Sequence, residues 1–388
     1  MDVATNEVAA MHAHLNEVYT MLPFTPAKGA GVWLEDAAGR RVLDLYGGHA
    51  VAALGYGHPR LSDTIARASR DLVFQTNALP LKIRDEAADA LAEFAPPGVG
   101  RVFFVNSGAE ANENALRVAL RVTGRSKIVA IEQSFHGRTA AAAAVTWGAD
   151  GSWYGFPRAP FDVQFVPRED IAALNAAVDS STAAVIVEPV QGLAGAFDFT
   201  TEFLRAARNA CDRSRALLIL DEVQTGIGRL GEPFGAQLHR VRPDLLTTAK
   251  GLGGGFPCGA LLLPHEIARD LKPGSLGTTF GGGPMACAIV ETVIDIIESE
   301  NLLENVRQRS AQIRRDCVVG PVIATQGAGL LLGLRTSRPA KDVQAELLKQ
   351  DILTGTSGDP NVVRILAPFV LGSEHVEQLR DALKKIAP

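Results

Sequence analysis

Lys250 lies at the end of a short apolar run and directly before a glycine-rich stretch, in the segment TTAKGLGGG at 247–255. Most lysines are solvated surface groups, but a lysine at a strand end in a tight pocket is partly buried, and burial lowers its pKa and frees its amine. Such an amine forms a Schiff base with a carbonyl compound. A nucleotide-binding loop is a poorer match, because a P-loop places its glycines before the lysine and a dinucleotide fingerprint requires G-x-G-x-x-G.

Asp221 ends a second apolar run, ALLILD at 216–221. A carboxylate in this position can pair with a protonated pyridinium nitrogen, which lets an aromatic cofactor accept electrons from a substrate carbanion. Metal binding and capping of the next helix are alternative roles for a lone aspartate at a strand end. Asp221 is therefore a candidate cofactor ligand with two structural rivals.

A third motif, SGAEAN at 107–112, follows the run RVFFV at 101–105. Small residues open a helix there, so free backbone N–H groups, the positive helix end and the Ser107 hydroxyl form an anion site suited to a phosphate. An ordinary serine-capped helix explains the same residues.

The segment FHGRT at 135–139 adds an aromatic ring and a guanidinium. Phe135 can stack on an aromatic cofactor, and Arg138 can bind a carboxylate with two parallel N–H groups. A core phenylalanine and a surface arginine are the structural alternatives. No single motif decides the function, but together they supply a phosphate site, a pyridinium partner, a stacking ring, a reactive amine and a carboxylate clamp.

The elements that position these residues alternate between apolar strands and helices. We predict helices over 108–122 and 200–213 and a third that begins at Phe135. The predicted strands are 101–105, 127–131, 184–187, 216–220, 245–248 and 260–263. This alternation indicates a parallel sheet covered on both faces, and ligands of such sheets bind at the carboxyl ends of the strands.

After Thr279 the pattern changes to a smaller mixture of elements. Helices are predicted over 284–298, 302–315, 340–350 and 374–385, and strands over 329–334 and 362–366. We therefore expect a large domain at 46–276, a smaller C-terminal domain at 277–388, and an N-terminal segment at 1–45 that packs with the smaller domain.

Composition excludes some classes of function. The formal charge of −5 offers no electrostatic basis for binding nucleic acid or an anionic membrane. Four scattered cysteines indicate a reduced intracellular protein, and no Cys/His cluster has zinc spacing, so no metal is expected. The N-terminus has no signal-peptide pattern and no apolar run is long enough to cross a bilayer, so the expected location is the cytoplasm.

These motifs resemble the class-III pyridoxal-phosphate-dependent aminotransferases, and within them the acetylornithine and ornithine aminotransferase subgroup. The resemblance extends from about Tyr19 to Pro368. Its motifs, in the family's order and spacing, are SGAEAN at 107–112, SFHGRT at 134–139, EPVQG at 188–192, LDEVQTGIGR at 220–229, AKGLGGG at 249–255 and TTFGG at 278–282. It implies an α/β protein of PLP-dependent transferase fold type I, with a mostly parallel seven-stranded sheet between helices in the large domain and a smaller α+β domain built from both termini.

The resemblance implies pyridoxal 5′-phosphate as the cofactor. Lys250 would hold it as a Schiff base and shuttle the reaction's proton, and Asp221 would bind its ring nitrogen. The other cofactor contacts implied are Ser107, Gly108 and Ala109 at the phosphate, Phe135 and Val223 on the ring faces, Gln224 at the ring hydroxyl, Glu188, and Thr279 of a neighbouring subunit. The last contact implies an obligate homodimer with shared active sites.

Two arginines are implied as substrate ligands. Arg138, with Tyr19 nearby, would bind one substrate carboxylate, and Arg364, in VRILAPF, matches the family's second carboxylate-binding arginine. In the family a glutamate pairs with this second arginine and releases it when the α-carboxylate of glutamate or 2-oxoglutarate arrives. This chain has Leu193 at the glutamate position, so we expect Arg364 to stay available to carboxylates.

A second departure from the family is His49, in YGGHA at 46–50. Relatives carry an aromatic or aliphatic side chain there, in the donor pocket. A lone histidine is more often structural than catalytic, so His49 is predicted to affect specificity at most.

The resulting hypothesis is a ping-pong aminotransferase that moves an amino group from an N-acylornithine-like, ω-amino or basic amino acid donor to 2-oxoglutarate. An amine or ω-amino acid transaminase that uses pyruvate is one alternative, and a PLP aminomutase or decarboxylase on the same scaffold is another, because the protein contacts choose which bond breaks. A non-catalytic binding protein that kept the fold is the third, and the presence of both Lys250 and Asp221 disfavours it.

Overall fold

The computed structural model describes residues 14–16 and 18–388 of the chain. The strands, numbered in chain order, are β1 Pro26–Ala30, β2 Trp33–Asp36, β3 Arg41–Asp44, β4 Arg101–Val105, β5 Lys127–Ile131, β6 Asp162–Val166, β7 Thr182–Val187, β8 Val190–Gln191, β9 Phe197–Asp198, β10 Leu217–Asp221, β11 Leu245–Thr248, β12 Gly259–Leu263, β13 Val322–Ala328, β14 Leu331–Thr336, β15 Ile352–Leu353 and β16 Val362–Ile365. The α-helices are Gly47–Ala50, Pro59–Asp71, Lys82–Phe94, Gly108–Thr123, Ala140–Ala144, Ile171–Ala177, Thr201–Ser214, Gly235–His239, His265–Asp270, Pro284–Ser299, Leu302–Asp316, Ala340–Lys349 and Ser373–Lys384.

Seven strands form the central sheet in the order β4-β12-β11-β10-β7-β5-β6. All run parallel except β12, which is antiparallel to both of its neighbours. Every residue of β7 (TAAVIV) is buried, as expected for a parallel strand covered by helices on both faces. The α/β architecture with a mostly parallel seven-stranded sheet is thus confirmed.

The helix Gly108–Thr123 follows β4 and has clear start and stop signals. The Ser107 hydroxyl caps its first turn by accepting the N–H of Glu110 at 3.2 Å. The helix ends at Gly124, whose φ of 68° lies in the left-handed region that glycine adopts without strain. The predicted helix over 108–122 is therefore confirmed, and its N-terminus lies at the carboxyl end of β4.

The prediction of a helix that begins at Phe135 is wrong. Residues 134–139 are irregular, and a helix begins only at Ala140. The backbone groups of this segment are used elsewhere: the N–H of Phe135 donates to Glu188 at 3.0 Å, and the N–H of His136 donates to the Thr146 hydroxyl at 2.9 Å. Gly137, with a φ of 143°, also prevents helical continuation.

Strand β6 was not predicted from the sequence. Its residues DVQFV alternate between exposed and half-buried positions, because it is the edge of the sheet and pairs only with β5. A half-polar edge strand lacks the continuous apolar run that marks the central strands.

The remaining strands form smaller sheets. β13, β14 and β16 are antiparallel, and β15 pairs in parallel with β3, which joins the N-terminal sheet to the C-terminal part of the chain. The helix Pro284–Ser299 packs against Pro59–Asp71 and Lys82–Phe94. The division at residues 45 and 276 stays a prediction.

Among the described residues, no helix is both long enough and apolar enough to cross a lipid bilayer.

Candidate functional site

The candidate site lies at the edge of the central sheet where the parallel strands end, which we call the carboxyl edge. Asp221 is the last residue of β10, and its β11 neighbour is Thr247, three residues before Lys250. Leu220 pairs with Val187, so Glu188 follows directly on the other side. Neighbouring strand ends thus bring three ionisable side chains to one place, as expected for a ligand site in a parallel sheet.

Asp221 is buried and its carboxylate is fixed by three donors. Oδ2 accepts from Nδ2 of Asn112 and from Nδ1 of His136, both at 2.7 Å, and Oδ1 accepts from the N–H of Val223 at 3.0 Å. Asn112 is itself held, because its Oδ1 accepts from Thr247 at 2.7 Å. The carboxylate therefore has one orientation, and its Nδ1 contact requires that His136 carry a hydrogen on that nitrogen.

Lys250 is half-buried beside this carboxylate. Burial lowers the pKa of its amine, while Asp221 and Glu188 act in the opposite direction and Arg364 adds to the decrease. Its Nζ makes no hydrogen bond within the described part of the chain. Its backbone has a φ of 46°, in the left-handed region. These conditions favour a neutral, reactive amine.

Glu188 is the second buried carboxylate of the site. Burial raises its pKa, the nearby His136 opposes this, and Asp221 increases it further. Its Oε1 accepts the N–H of Phe135 at 3.0 Å. Glu188 thereby holds the segment that carries Phe135 against the carboxyl edge.

The start of helix Gly108–Thr123 lies against the segment that follows β10. A Cβ on Gly108 would come within 2.5 Å of Cγ1 of Val223, so only glycine fits there. A Cβ on Gly137 would lie 2.9 Å from Cβ of Ala109. Residues 108 and 109 lie in the first turn of this helix, whose backbone N–H groups suit an anion.

Arg138 is exposed and lies between two aromatic rings. Its guanidinium carbon is 5.8 Å from the centroid of Phe135 and 4.9 Å from that of Trp153. These cation–π contacts orient the guanidinium while its N–H groups remain free for a carboxylate.

Arg364 is only 2% exposed and is bound by neutral groups. Nε donates to the carbonyl of Thr356 at 2.6 Å, Nη1 to that of Gly192 at 3.3 Å, and Nη2 to the hydroxyl of Tyr46 at 3.2 Å. The Tyr46 hydroxyl is also 2.7 Å from Nδ1 of His49. Among the described residues, the contacts of Arg364 are thus all uncharged.

His49 is exposed and contacts Tyr46 and Gln224. Its carbonyl accepts from Nε2 of Gln224 at 3.3 Å. Partial burial, together with the positive charges of Arg364 and Lys250, lowers the pKa of the imidazole to about 4. The ring is therefore neutral near pH 7.

The remaining predicted residues lie on the surface. Leu193 is 42% exposed, Tyr19 is 63% exposed, and Thr279 is exposed next to Phe280, which is 65% exposed. Tyr19 lies near Tyr46. Burial raises the pKa of Tyr46, Arg364 lowers it, and the nearby Tyr19 raises it further.

Sequence reasoning assigned no role to four residues that hold the site together: Asn112, His136, Tyr46 and Trp153. Asn112 lies in the motif SGAEAN and His136 in the motif SFHGRT. Their membership in these motifs was the sequence signal that could have identified them as site residues. Tyr46 stands in the same segment as His49. Trp153 lies in a loop with no recognisable pattern.

Comparisons with known proteins point to one family of enzymes. The family model described as aminotransferase class-III matches residues 15–387. The acetylornithine aminotransferase of Streptomyces coelicolor is 43% identical over 370 residues, which cover 94% of this chain and 90% of that protein. The ornithine aminotransferase of Toxoplasma gondii superposes with a TM-score of 0.92 at 28% identity, covering 99% of this chain and 93% of that one, and its active site is described as partly occupied by PLP. The acetylornithine aminotransferase of Elizabethkingia anophelis superposes with a TM-score of 0.85 at 25% identity, covering 99% of each chain.

Proposed function

This chain belongs to the aminotransferase class-III family, and on that premise we propose that it uses pyridoxal phosphate to transfer an amino group in a ping-pong cycle. The proposed donor is an N-acylornithine-like or other ω-amino or basic amino acid, and the proposed acceptor is 2-oxoglutarate. The observation that carries the proposal is the pairing, at one carboxyl edge, of an amine with a lowered pKa at Lys250 and a rigidly held carboxylate at Asp221. The names of the most similar relatives support the choice of donor.

The residues at the carboxyl edge fit this cofactor. The Ser107 hydroxyl and the N-terminus of a 16-residue helix suit a phosphate, and Gly108 lets Val223 pack directly against this helix end. The anchored carboxylate of Asp221 suits a protonated ring nitrogen. When bound, pyridoxal phosphate supplies an aldehyde that condenses with amines and a ring that accepts the electron pair released at the substrate carbon.

Each catalytic side chain has a defined task in this proposal. Lys250 Nζ would hold the cofactor covalently and, once the substrate amine has displaced it, would be free to take and return the proton at the amine-bearing carbon of the substrate. Asp221 holds the proton on the ring nitrogen, and Asn112 and His136 keep its oxygens in place. Phe135 and Val223 pack on the ring faces, Gln224 binds the ring hydroxyl, and Glu188 fixes the Phe135 segment.

Two arginines bind the substrate in this proposal. Arg138, exposed between Phe135 and Trp153, binds the carboxylate far from the reacting carbon. Arg364 binds a carboxylate attached to the reacting carbon. Two positively charged sites match the two carboxylates of 2-oxoglutarate.

The proposed assembly is a homodimer in which Thr279 of the neighbouring subunit completes the phosphate site. The support is the exposure of Thr279 and Phe280 within the loop TTFGG at 278–282. Thr278 binds Gly281 and Asn106 of its own chain, whereas Thr279 and Phe280 face outward.

The experiment that tests the function is a half-reaction. Holoenzyme is mixed separately with N-acetylornithine, ornithine, lysine, 4-aminobutyrate, β-alanine, glutamate and alanine, and the visible absorbance of the bound cofactor is followed. We expect rapid loss of the resting band with an acylornithine or another ω-amino donor and its return with 2-oxoglutarate. An absorbance that no donor changes would contradict the proposal.

We predict that Lys250→Ala abolishes turnover and the resting absorbance band, because the only proposed covalent anchor and proton carrier is removed. Steady-state assays and absorption spectra measure both effects. The matched control is Lys341→Ala, which removes an exposed lysine on helix Ala340–Lys349 and leaves both unchanged. Turnover retained by the Lys250 variant would refute the assignment.

A further inference from the structure

Arg364 is a buried cation whose contacts are all neutral. Of the described residues, none places a carboxylate oxygen within 4.0 Å of its nitrogens. Burial lowers the pKa of the guanidinium, which is the expected response of a cation without a paired anion. A carboxylate entering this pocket therefore has no resident ion pair to break.

The contacts of Arg364 leave a specific set of donors free. A guanidinium has five N–H groups, and the protein uses one on Nε and one on each terminal nitrogen. One N–H on Nη1 and one on Nη2 remain. Two parallel N–H groups of this kind are what a carboxylate requires for bidentate binding.

Tyr46 fixes one side of the guanidinium, and His49 fixes Tyr46. The Tyr46 hydroxyl accepts from Nη2, which leaves its own hydrogen for the His49 ring, whose Nδ1 lies 2.7 Å and Nε2 3.1 Å away. A neutral imidazole is needed to accept it. The left-handed backbone of Gly48 and His49, with φ of 55° and 63°, places the two rings 4.6 Å apart.

The Tyr46 ring is also held from its other side. Gly355 lies against the ring so closely that any side chain at 355 would overlap it. Gly355 also exchanges backbone hydrogen bonds with Arg364, at 3.1 and 2.8 Å. The phenol therefore has a fixed place relative to the guanidinium.

We propose that Tyr46 and His49 form an uncharged positioning pair for Arg364, which keeps the guanidinium permanently open to substrates that carry a carboxylate on the reacting carbon. This inference rests on the proposed function and specifies its substrate class as α-amino acids and 2-oxo acids at this end of the pocket. Leu193 follows Gly192, whose carbonyl accepts a hydrogen bond from Nη1 of Arg364. Because Leu193 is uncharged, it places no carboxylate beside the guanidinium.

The test compares two unreactive ligands of the holoenzyme. Glutarate carries both carboxylates and butyrate carries one, and their dissociation constants are measured from the perturbation of the cofactor absorbance. We expect wild-type protein to bind glutarate more tightly than butyrate. Tyr46→Phe should weaken glutarate binding about three- to tenfold, the range expected for one lost hydrogen bond. Butyrate has no group at a reacting carbon, and its single carboxylate is expected to bind the exposed Arg138, so its affinity should stay unchanged.

Three further variants separate positioning from general damage. His49→Leu should weaken glutarate binding in the same way, whereas His49→Gln, whose side-chain oxygen can accept from Tyr46, should restore it. Leu193→Glu should weaken glutarate binding the most, because it adds a competing carboxylate next to Arg364. The resting absorbance of each variant shows that the fold and the cofactor site are retained.

Several results would overturn the inference. One is equal wild-type affinity for glutarate and butyrate, and a second is an unchanged ratio of the two dissociation constants in Tyr46→Phe. A third is tighter glutarate binding in that variant, which would mean that the phenol competes with the ligand. A failure of the proposed function is a different result: glutarate would bind as expected while no amino donor changes the cofactor spectrum.

Discussion

The carboxylate of Asp221 has both oxygens engaged by protein donors. Asp221 and Lys250 were predictable from the sequence because each follows an apolar strand, and strand ends meet at one edge. The partners of Asp221 were not, because Asn112 reaches it from a helix and His136 from an irregular segment. Which side of a helix faces a strand end depends on packing that a single sequence does not display.

At the same scale, we predict a pH effect from His49. Its pKa is lowered from 6.5 to about 4 in the folded protein, so between these values the unfolded chain binds the proton and the folded protein does not. Wild-type stability should therefore fall, relative to His49→Gln, as the pH decreases from about 6.5 to about 4.

Thermal unfolding of the two proteins across this range measures the difference. Above pH 7 the offset between their midpoints should be constant, because the imidazole is neutral in both states. An offset that is constant down to pH 4 would show that His49 titrates normally in the folded protein.

At the scale of the element, helix Gly108–Thr123 can begin where it does only because position 108 has no side chain. We predict that Gly108→Ala weakens binding of pyridoxal phosphate to the apoprotein about tenfold or more, since its Cβ would meet Val223 and overpacking costs about 1–3 kcal/mol. Spectroscopic titration with the cofactor measures the effect.

The control is Gly100→Ala, which has no atom within 4 Å of the added Cβ and should bind the cofactor normally. Adding Val223→Ala to Gly108→Ala should recover part of the lost affinity, because the clash is removed. Additive losses in the double variant would place the cause elsewhere.

The elements were predictable to different degrees. The central strands of the sheet and the helices of 108–123, 201–214 and 284–299 were found from their apolar patterns and caps. The edge strand β6 was not predicted, because its solvent-facing residues interrupt the apolar pattern. The segment after Ser134 was misjudged because its N–H groups bind Glu188 and Thr146, contacts distant in sequence.

At the scale of the molecule, a buried arginine joins three separate parts of the chain. Arg229, 1% exposed, donates to the carbonyls of Ala50, Leu330 and Ala367 and lies 4.5 Å from the ring centroid of Phe369. Burial lowers its pKa to about 9. It links the segment after β10 to the turn beside His49 and to the C-terminal region.

We predict that Arg229→Met destabilises the protein by about 2–4 kcal/mol. Three buried carbonyls lose their donor, and relief from burying a charge offsets only part of this cost. Chemical denaturation measures the loss. Arg60→Met, which breaks an exposed pair with Asp295, should cost less than about 1 kcal/mol and serves as the control. Equal losses in the two variants would argue against the role of Arg229.

The two arginines of the pocket differ most in their access to water, because Arg138 is exposed and Arg364 is 2% exposed. Dissolved ions screen exposed charges over about 8–10 Å at physiological ionic strength and reach buried ones far less. In the proposed reaction, added salt would therefore loosen only the distal end of a dicarboxylate. Raising the ionic strength would therefore reduce the preference of the enzyme for long acidic substrates over short 2-oxo acids, which depend on Arg364 alone.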